Sequence, residues 1–264
     1  MTAARDLELI LDAAREAGEL AVKLRAAGLT TEYKPGDATP VTNADLAADA
    51  LLKDRLSTAR PDYGWLSEET ADDPARLSKQ RLFVVDPIDG TRAFLKDRPW
   101  WAVSVAVVDG HEVLAGVVFA PQLDETYAAT AGGGATLNGR LIAASACNAV
   151  EGCGMVGDSR MFTHPAWPVP WPEMRVESRN STAYRMCLVA SGAFDAALAL
   201  VAKADWDLAA ADLIAREAGA WCGDHLGRRF SYNGTVPAQP SLLCAAPHLA
   251  PLILERVRHI AIGN

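Results

Sequence analysis

Leu82-Phe83-Val84-Val85-Asp86-Pro87-Ile88-Asp89-Gly90-Thr91 is the stretch on which both the fold and the chemistry turn. Its apolar run Leu82 to Val85 predicts a short buried strand ending on Asp86. The turn that follows presents Asp86 and Asp89 three residues apart. Pro87 fixes φ, so the two carboxylates are held in a stiff geometry and the Ile88 carbonyl is left as a further hard oxygen donor. Such a turn can hold magnesium. Gly90 permits close backbone approach, and Thr91 opens a short helical stretch before Pro99 whose amides can cradle a phosphate. The same D-x-x-D-G pattern also serves as a plain solvated turn, so the rest of the chain has to decide.

Working outward, Leu7, Ile10, Leu11, Ala14, Gly18 and Ala21 fall at helical spacing and predict an amphipathic helix over about the first two dozen residues. A loop with Gly28, Pro35, Gly36 and Pro40 leads to a second helix from near Thr42. The segment from Arg60 to Arg81 is polar and turn-rich. Downstream, Trp101 to Val108, the Asp109-Gly110 hairpin signal and Val113 to Phe119 predict paired strands, and Glu125 to Thr130 and Leu137 to Ile142 continue the meander. Beyond about Ser145 the pattern changes. A Pro- and Trp-rich loop runs from His164 to Pro172, helices are predicted over Ala183 to Gly192 and Leu208 to Ala218, and a closing helix near Leu249 to His259 follows the apolar Leu242 to Ala245. The layout is α/β, with a largely antiparallel first sheet in residues 1–143 and a second, smaller α/β half in residues 144–264.

The chain has 264 residues, half of them apolar and 22% charged, which is the composition of a folded globular protein. Its formal charge of −8 repels polyanions, which argues against nucleic acid as the main ligand but leaves room for a small anionic substrate met by bound cations. Five cysteines, odd in number and without a C-x-x-C pair, point to reduced thiols and a cytoplasmic location. The charged start is unlike a signal peptide, and no apolar run is long enough to span a bilayer.

Other acidic residues extend the site. Glu68-Glu69 follows the apolar Trp65-Leu66 and can aim one carboxylate inward and the other outward, although a solvated acidic run into Asp72 and Asp73 reads the same way. Asp207 precedes an Ala-rich helix, where it is either a ligand or an N-cap. Asp45 closes Thr42-Asn43-Ala44-Asp45, a capping-box pattern.

Asp86 to Thr91, DPIDGT, resembles the signature of the inositol monophosphatase superfamily, and its other elements occur in order: Pro40 to Asp45 (PVTNAD), Ser67-Glu68-Glu69 and Trp206-Asp207. The resemblance covers nearly the whole chain, with the segment Gly132 to Arg140 and Cys187 to Ala190 as further similarities. It implies a layered αβαβα sandwich and a homodimer, neither of which follows from periodicity. It also implies that Glu68, Asp86, the Ile88 carbonyl and Thr91 surround one metal, that Asp86, Asp89 and Asp207 surround a second, and that Glu68 and Asp45 form a weaker third site. Mg²⁺ is the implied ion, in two or three copies, since every proposed ligand is a hard oxygen and the histidines are scattered. Two ions about 3.5 to 4 Å apart would activate water for in-line displacement, with Glu68 and Thr91 orienting it, Asp89 completing the catalytic set, and Gly90 and Thr91 binding the phosphate.

The family's substrates are small phosphate esters. Asp89 to Phe94 (DGTRAF) resembles the bisphosphate nucleotidase branch, as does Ser181 to Cys187 (STAYRMC), where Arg185 offers a charge for a second phosphate. Arg185 reads equally as a solvated helix residue. Leu200 stands where inositol monophosphatases resemble a ring-binding glutamate, which disfavours an inositol substrate. The expected substrate is therefore 3'-phosphoadenosine 5'-phosphate, with inositol 1-phosphate as the alternative. Some bacterial members act through the transcription machinery, a further alternative.

Overall fold

The computed structural model describes residues 2–34, 39–165 and 167–262, so Pro35 and Gly36 of the predicted loop lie outside the described residues. Helix α1 (Ala3–Ala27) buries Ile10, Ala13, Ala14, Ala17 and Ala21, the stripe its spacing predicts. A small antiparallel flap, β1 (Thr31–Tyr33) and β2 (Pro40–Thr42), leads into α2 (Asn43–Ala59). Next come β3 (Gly64–Ser67), a 3₁₀ turn at Pro74–Ser78, β4 (Arg81–Asp89), and the short α3 (Thr91–Leu95). The meander continues as β5 (Ala102–Asp109), β6 (Glu112–Ala120), β7 (Glu125–Thr130), β8 (Ala135–Leu137) and β9 (Arg140–Leu141).

Strands β3 to β9 form one seven-stranded sheet in sequence order, antiparallel except for the parallel pair β3 and β4. The later chain supplies β10 (Gly154–Val156), α4 (Ser159–Phe162), β11 (Arg175–Glu177), α5 (Thr182–Ala190), β12 (Ala196–Ala199), β13 (Lys203–Ala204) and α6 (Asp205–Glu217). It ends with β14 (Trp221–Gly223), β15 (Ala238–Gln239), β16 (Leu242–Ala245) and α7 (Ala250–Val257). A mixed five-stranded sheet runs β11-β10-β12-β16-β14, and β13 pairs with β15.

Five layers result. Phe83, Val85, Val103, Val105 and Val107 pack against α1 and α2, while Leu82, Val84, Ala102, Ala106 and Val108 pack against α5 and α6. A sheet covered on both faces needs apolar residues at successive positions, which is why β4 and β5 read as unbroken runs. Helices α5 and α6 are shared with the second sheet, and α7 covers its far side. This is the expected αβαβα sandwich. At Gly116 a Cβ would come 2.8 Å from the Ala210 carbonyl oxygen, so glycine lets α6 lie directly on β6. Among the described residues no helix is long and apolar enough to cross a membrane.

The structure corrects several boundaries. β4 does not end on Asp86 but runs on to Asp89, because the backbone resumes pairing with β5 after a bulge. β3 lies inside the stretch read as turns. Helix α6 begins at Asp205 rather than Leu208, which moves Asp207 from a flanking position into the first turn.

Candidate active site

Strand β4 carries Asp86 and Asp89 across that bulge: Asp86 pairs with Ser104 and Asp89 with Ala102, so three steps on β4 match two on β5. Residues three apart on a regular strand face opposite sides, and the extra residue brings both carboxylates to one. Asp86 Oδ1 accepts the Ile88 amide at 3.0 Å. Asp89 sits on the N-terminus of α5, where its Oδ2 accepts Ser181 Oγ and the Ala183 amide, each at 2.6 Å, and its Oδ1 accepts the Thr182 amide at 3.1 Å. From the next helix, Asp207 accepts the Ala204 amide at 3.3 Å. It is therefore not an N-cap; it reaches back from the first turn of α6.

One carboxylate oxygen from each of Asp86, Asp89 and Asp207 lies within 4.8 Å of the others. They share a cleft of about 410 Å³ with Glu68, Gly90, Thr91, Asn180 and Lys203. Gly90 adopts φ 98°, and a Cβ there would lie 3.1 Å from both the Ser181 amide nitrogen and the Trp100 carbonyl, so only glycine closes this corner without strain.

The cleft is electrostatically frustrated. Asp86 is pushed well above the usual carboxylate range by burial, then by the charges of Glu68, Asp89, Asp207 and Asp45. Asp207 is pushed up to about 7 by burial and by Asp89, with Lys203 opposing. Asp89 is also raised by burial, though Ser181, Ala183 and Thr182 hold it down. Buried carboxylates this close call for cations.

Behind the cleft, Thr91 Oγ1 lies 3.0 Å from Asp45 Oδ1 and 3.1 Å from the Ile88 carbonyl oxygen. Asp45 Oδ2 accepts the Thr42 amide at 2.9 Å and Thr42 Oγ1 at 2.5 Å. Asp45 thus fills the capping box and touches Thr91 as well. The inward and outward reading of the acidic pair needs correction: Lys34 Nζ lies 2.9 Å from both Glu68 Oε1 and Glu69 Oε1, and the Glu69 side chain is 4% exposed. Burial pushes Glu69 up to about 7, with Lys34 opposing. Burial alone would lower the Lys34 ammonium, but Glu68 and Glu69 together raise it.

Arg185 does not enter the acidic cleft. It lines an adjoining lobe of about 410 Å³ with Asp158, Met161, Leu198, Leu200 and Lys203, and its Nε donates to the Arg179 carbonyl at 2.6 Å. It is half-buried rather than solvated, and burial lowers its pKa against the pull of Asp89, Asp158 and Asp207. Lys203 lines both spaces. Lys34 and Lys203 escaped the sequence reading because nothing in their local pattern marks them; only the fold brings them to the acids.

Four acidic side chains, a threonine hydroxyl and a backbone carbonyl make an all-oxygen donor set whose repulsion Lys34 and Lys203 only partly offset, which fits a hard divalent cation such as Mg²⁺. Fold and site together define an α/β-sandwich protein with an acidic cleft where β4 meets α5 and α6. The chain belongs to the inositol monophosphatase family, whose model matches residues 4–261. It is 34% identical over 231 residues to an inositol-1-monophosphatase of Rhizobium meliloti, covering 84% of each chain. It is also 34% identical over 252 residues to a histidinol-phosphatase of Mycobacterium tuberculosis, covering 88% of this chain and 94% of that one. An IMPase structure from Thermotoga maritima superposes with a TM-score of 0.84 at 27% identity, over 97% of both chains.

Proposed function

We propose that this chain is a Mg²⁺-dependent phosphomonoesterase that hydrolyses a small phosphorylated metabolite with activated water, and that 3'-phosphoadenosine 5'-phosphate is its leading substrate. The observation that carries the reading is the convergence of Asp86, Asp89 and Asp207 within 4.8 Å in a cleft that also holds Glu68 and Thr91. Two ions, with a weaker third toward Glu68 and Asp45, would be held by these residues. Bound Mg²⁺ supplies a Lewis acid for the phosphoryl oxygens and a source of nucleophile at neutral pH.

The chain's own groups do the rest. With its hydroxyl 3.0 Å from Asp45 Oδ1, Thr91 would pass its own proton to Asp45 as its oxygen takes one from the attacking water. Asp45 is raised by burial, which suits a group that receives that proton. Glu68 lines the same cleft and would orient that water together with Thr91. Ile88 holds Asp86 through its amide, and Asp89 is locked by α5, so the donors are set before the substrate arrives. Gly90 lets the phosphate approach the backbone closely.

For the alcohol side, the lobe combines the Arg185 guanidinium with the apolar Leu198, Leu200 and Val201. An apolar wall with one fixed cation suits a nucleoside carrying a second phosphate better than a polyol. Histidinol phosphate is the competing reading, favoured by the Mycobacterium tuberculosis relative and by Asp158 in the same lobe, and inositol 1-phosphate follows from the Rhizobium meliloti relative. The test is phosphate release with Mg²⁺ and with excess chelator across these three esters and fructose 1,6-bisphosphate, with Li⁺ as inhibitor. Full activity in chelator would overturn the metal dependence, and a kcat/KM led by another ester would overturn the substrate. A homodimer belongs to the same reading and is read by light scattering. A pull-down from lysate tests a role at the transcription machinery.

A further inference from the structure

The lobe that holds Arg185 shares a wall with a second space. Met161, on the four-residue helix α4, lines the lobe and also a separate cavity of about 420 Å³ whose other walls are His164, Trp167, Pro168, His259 and Ile260. We propose that Met161 is a movable partition between the two, and that the Trp167 cavity is a subsite for an aromatic group on the alcohol of the phosphate ester. The proposal rests on the phosphatase reading for its chemistry.

The acidic cleft and the lobe share Lys203, and the lobe and the Trp167 cavity share Met161, so each space adjoins the next. A phosphate seated among the acids would direct its alcohol into the lobe and toward Met161.

The Met161 side chain packs at the edge of the apolar cluster around Phe162, with no polar tie of its own, while its backbone is fixed. The Met161 carbonyl accepts Trp167 Nε1 at 2.5 Å, and its amide donates to the Asp158 carbonyl at 3.0 Å. Its side chain is half-buried, unbranched and carries a polarizable sulfur, the type that fills an irregular gap in more than one rotamer and packs well on rings.

The walls define the class of group. Trp167 packs edge-on against Trp171 at 5.3 Å between ring centroids, and Trp171 packs edge-on against Phe162 at 5.2 Å, so the Trp167 ring is held stiffly. Rings on Trp167 and His259 and the flat face of Pro168 favour a planar apolar guest through offset or edge-to-face contact. A further space of about 580 Å³, sharing Trp167, Pro168 and His259, leaves room for a long substituent. Aliphatic polyol phosphates would gain nothing from these surfaces.

The experiment compares two matched pairs in Mg²⁺, with a tether long enough to cross the lobe: 6-phenylhexyl phosphate against hexyl phosphate by kcat/KM, and the corresponding non-hydrolysable phosphonates by calorimetry. Met161→Ala should raise the phenylhexyl-to-hexyl ratio about tenfold in both measurements, the scale of a change in a hydrophobic pocket. Met161→Phe should lower it, and Trp167→Leu added to Met161→Ala should bring it back toward the original value. Ratios that stay equal across all three variants would overturn the partition and the subsite. If no ester is hydrolysed by any variant, the phosphatase reading fails, while the phosphonate ratios still decide the subsite.

Discussion

Ser181 Oγ donates to Asp89 Oδ2 at 2.6 Å, joining residues 92 positions apart and tying the first sheet to the middle helical layer at the acidic cleft. Ser181 is also the N-cap of α5, accepting the Tyr184 amide. Asp89 is therefore both a candidate metal ligand and the anion on a helix N-terminus. Ser181→Ala should cost about 2 kcal/mol of stability, from a lost cap and a lost bond to a charged acceptor, and should lower kcat about tenfold as Asp89 loosens. Asp89→Asn should lose far more turnover, about a thousandfold, and also melt lower, because its amide nitrogen cannot accept from Ala183 or Ser181. Thermal melts and phosphate release check both, and unaltered turnover in Ser181→Ala would remove the anchoring role.

Asp207→Asn separates charge from capping. The asparagine oxygen still accepts the Ala204 amide, while the charge that burial and Asp89 oppose is gone. Turnover should fall by about three orders of magnitude, the scale of losing a group that stabilises developing charge. The metal-free variant should melt no lower than the parent at pH 8. Near-native turnover would return Asp207 to a structural role.

Stability should depend on pH through the same groups. Asp86, Asp89, Asp207 and Glu69 all have raised values in the folded state, with Asp207 and Glu69 at about 7. Folded carboxylates that bind protons more tightly than unfolded ones contribute stability that is fully present below the ordinary carboxylate range and is lost as pH rises through the folded value. Metal-free protein should therefore melt lower at pH 8 than at pH 6. Mg²⁺ reverses the trend, because ligation requires the ionised form, so the rise in Tm on adding it should be larger at pH 8. Calorimetry at both pH values reads this, and a metal-free Tm that climbs from pH 6 to pH 8 would contradict it.

Much of this was legible in the sequence, for identifiable reasons. Helix α1 shows its stripe, the first sheet's meander is punctuated by Asp109-Gly110, and the six residues from Asp86 mark the cleft. The bulge was not legible, because Asp86 to Asp89 obeys turn chemistry and strand pairing alike, and only the register with β5 decides. Strands β10, β11, β12 and β14 are only three or four residues long, and β10, β12 and β14 are partly built of Gly and Ala, so no alternation accumulates. Lys34 and Lys203 reach the acids by tertiary structure alone.

Lys34 occupies a place at Glu68 that a bound cation would otherwise take. Its ammonium lies 2.9 Å from Glu68 Oε1 and Glu69 Oε1, a place where positive charge is wanted. Lys34→Met should raise the affinity for Mg²⁺ by a few fold in calorimetry, since one competitor is removed, and should leave the Glu68 and Glu69 pair repelling in the metal-free state. Weaker Mg²⁺ binding in the variant would show that Lys34 organises the pair for the ion rather than competing with it.

Arg185 offers the sharpest substrate test, because its two roles predict different patterns. As a partner for a second phosphate it acts from a half-buried lobe where solvent screens it less than at the surface, and a charge-assisted bond there is worth about 1.5 to 3 kcal/mol. Arg185→Ala should then lower kcat/KM for 3'-phosphoadenosine 5'-phosphate by about ten- to a hundredfold and leave a monoester without the second charge nearly unchanged. Arg185→Lys should recover part of the loss, since it restores the charge without the planar fork. As a purely structural residue Arg185 instead holds the Arg179 carbonyl through its Nε, and Arg179 in turn stacks 4.2 Å from the Trp100 ring centroid. Loss of that tie would lower every substrate alike and would not respond to the charge of lysine. Equal losses across the panel would therefore remove the nucleotide assignment and leave the metal-dependent phosphatase standing.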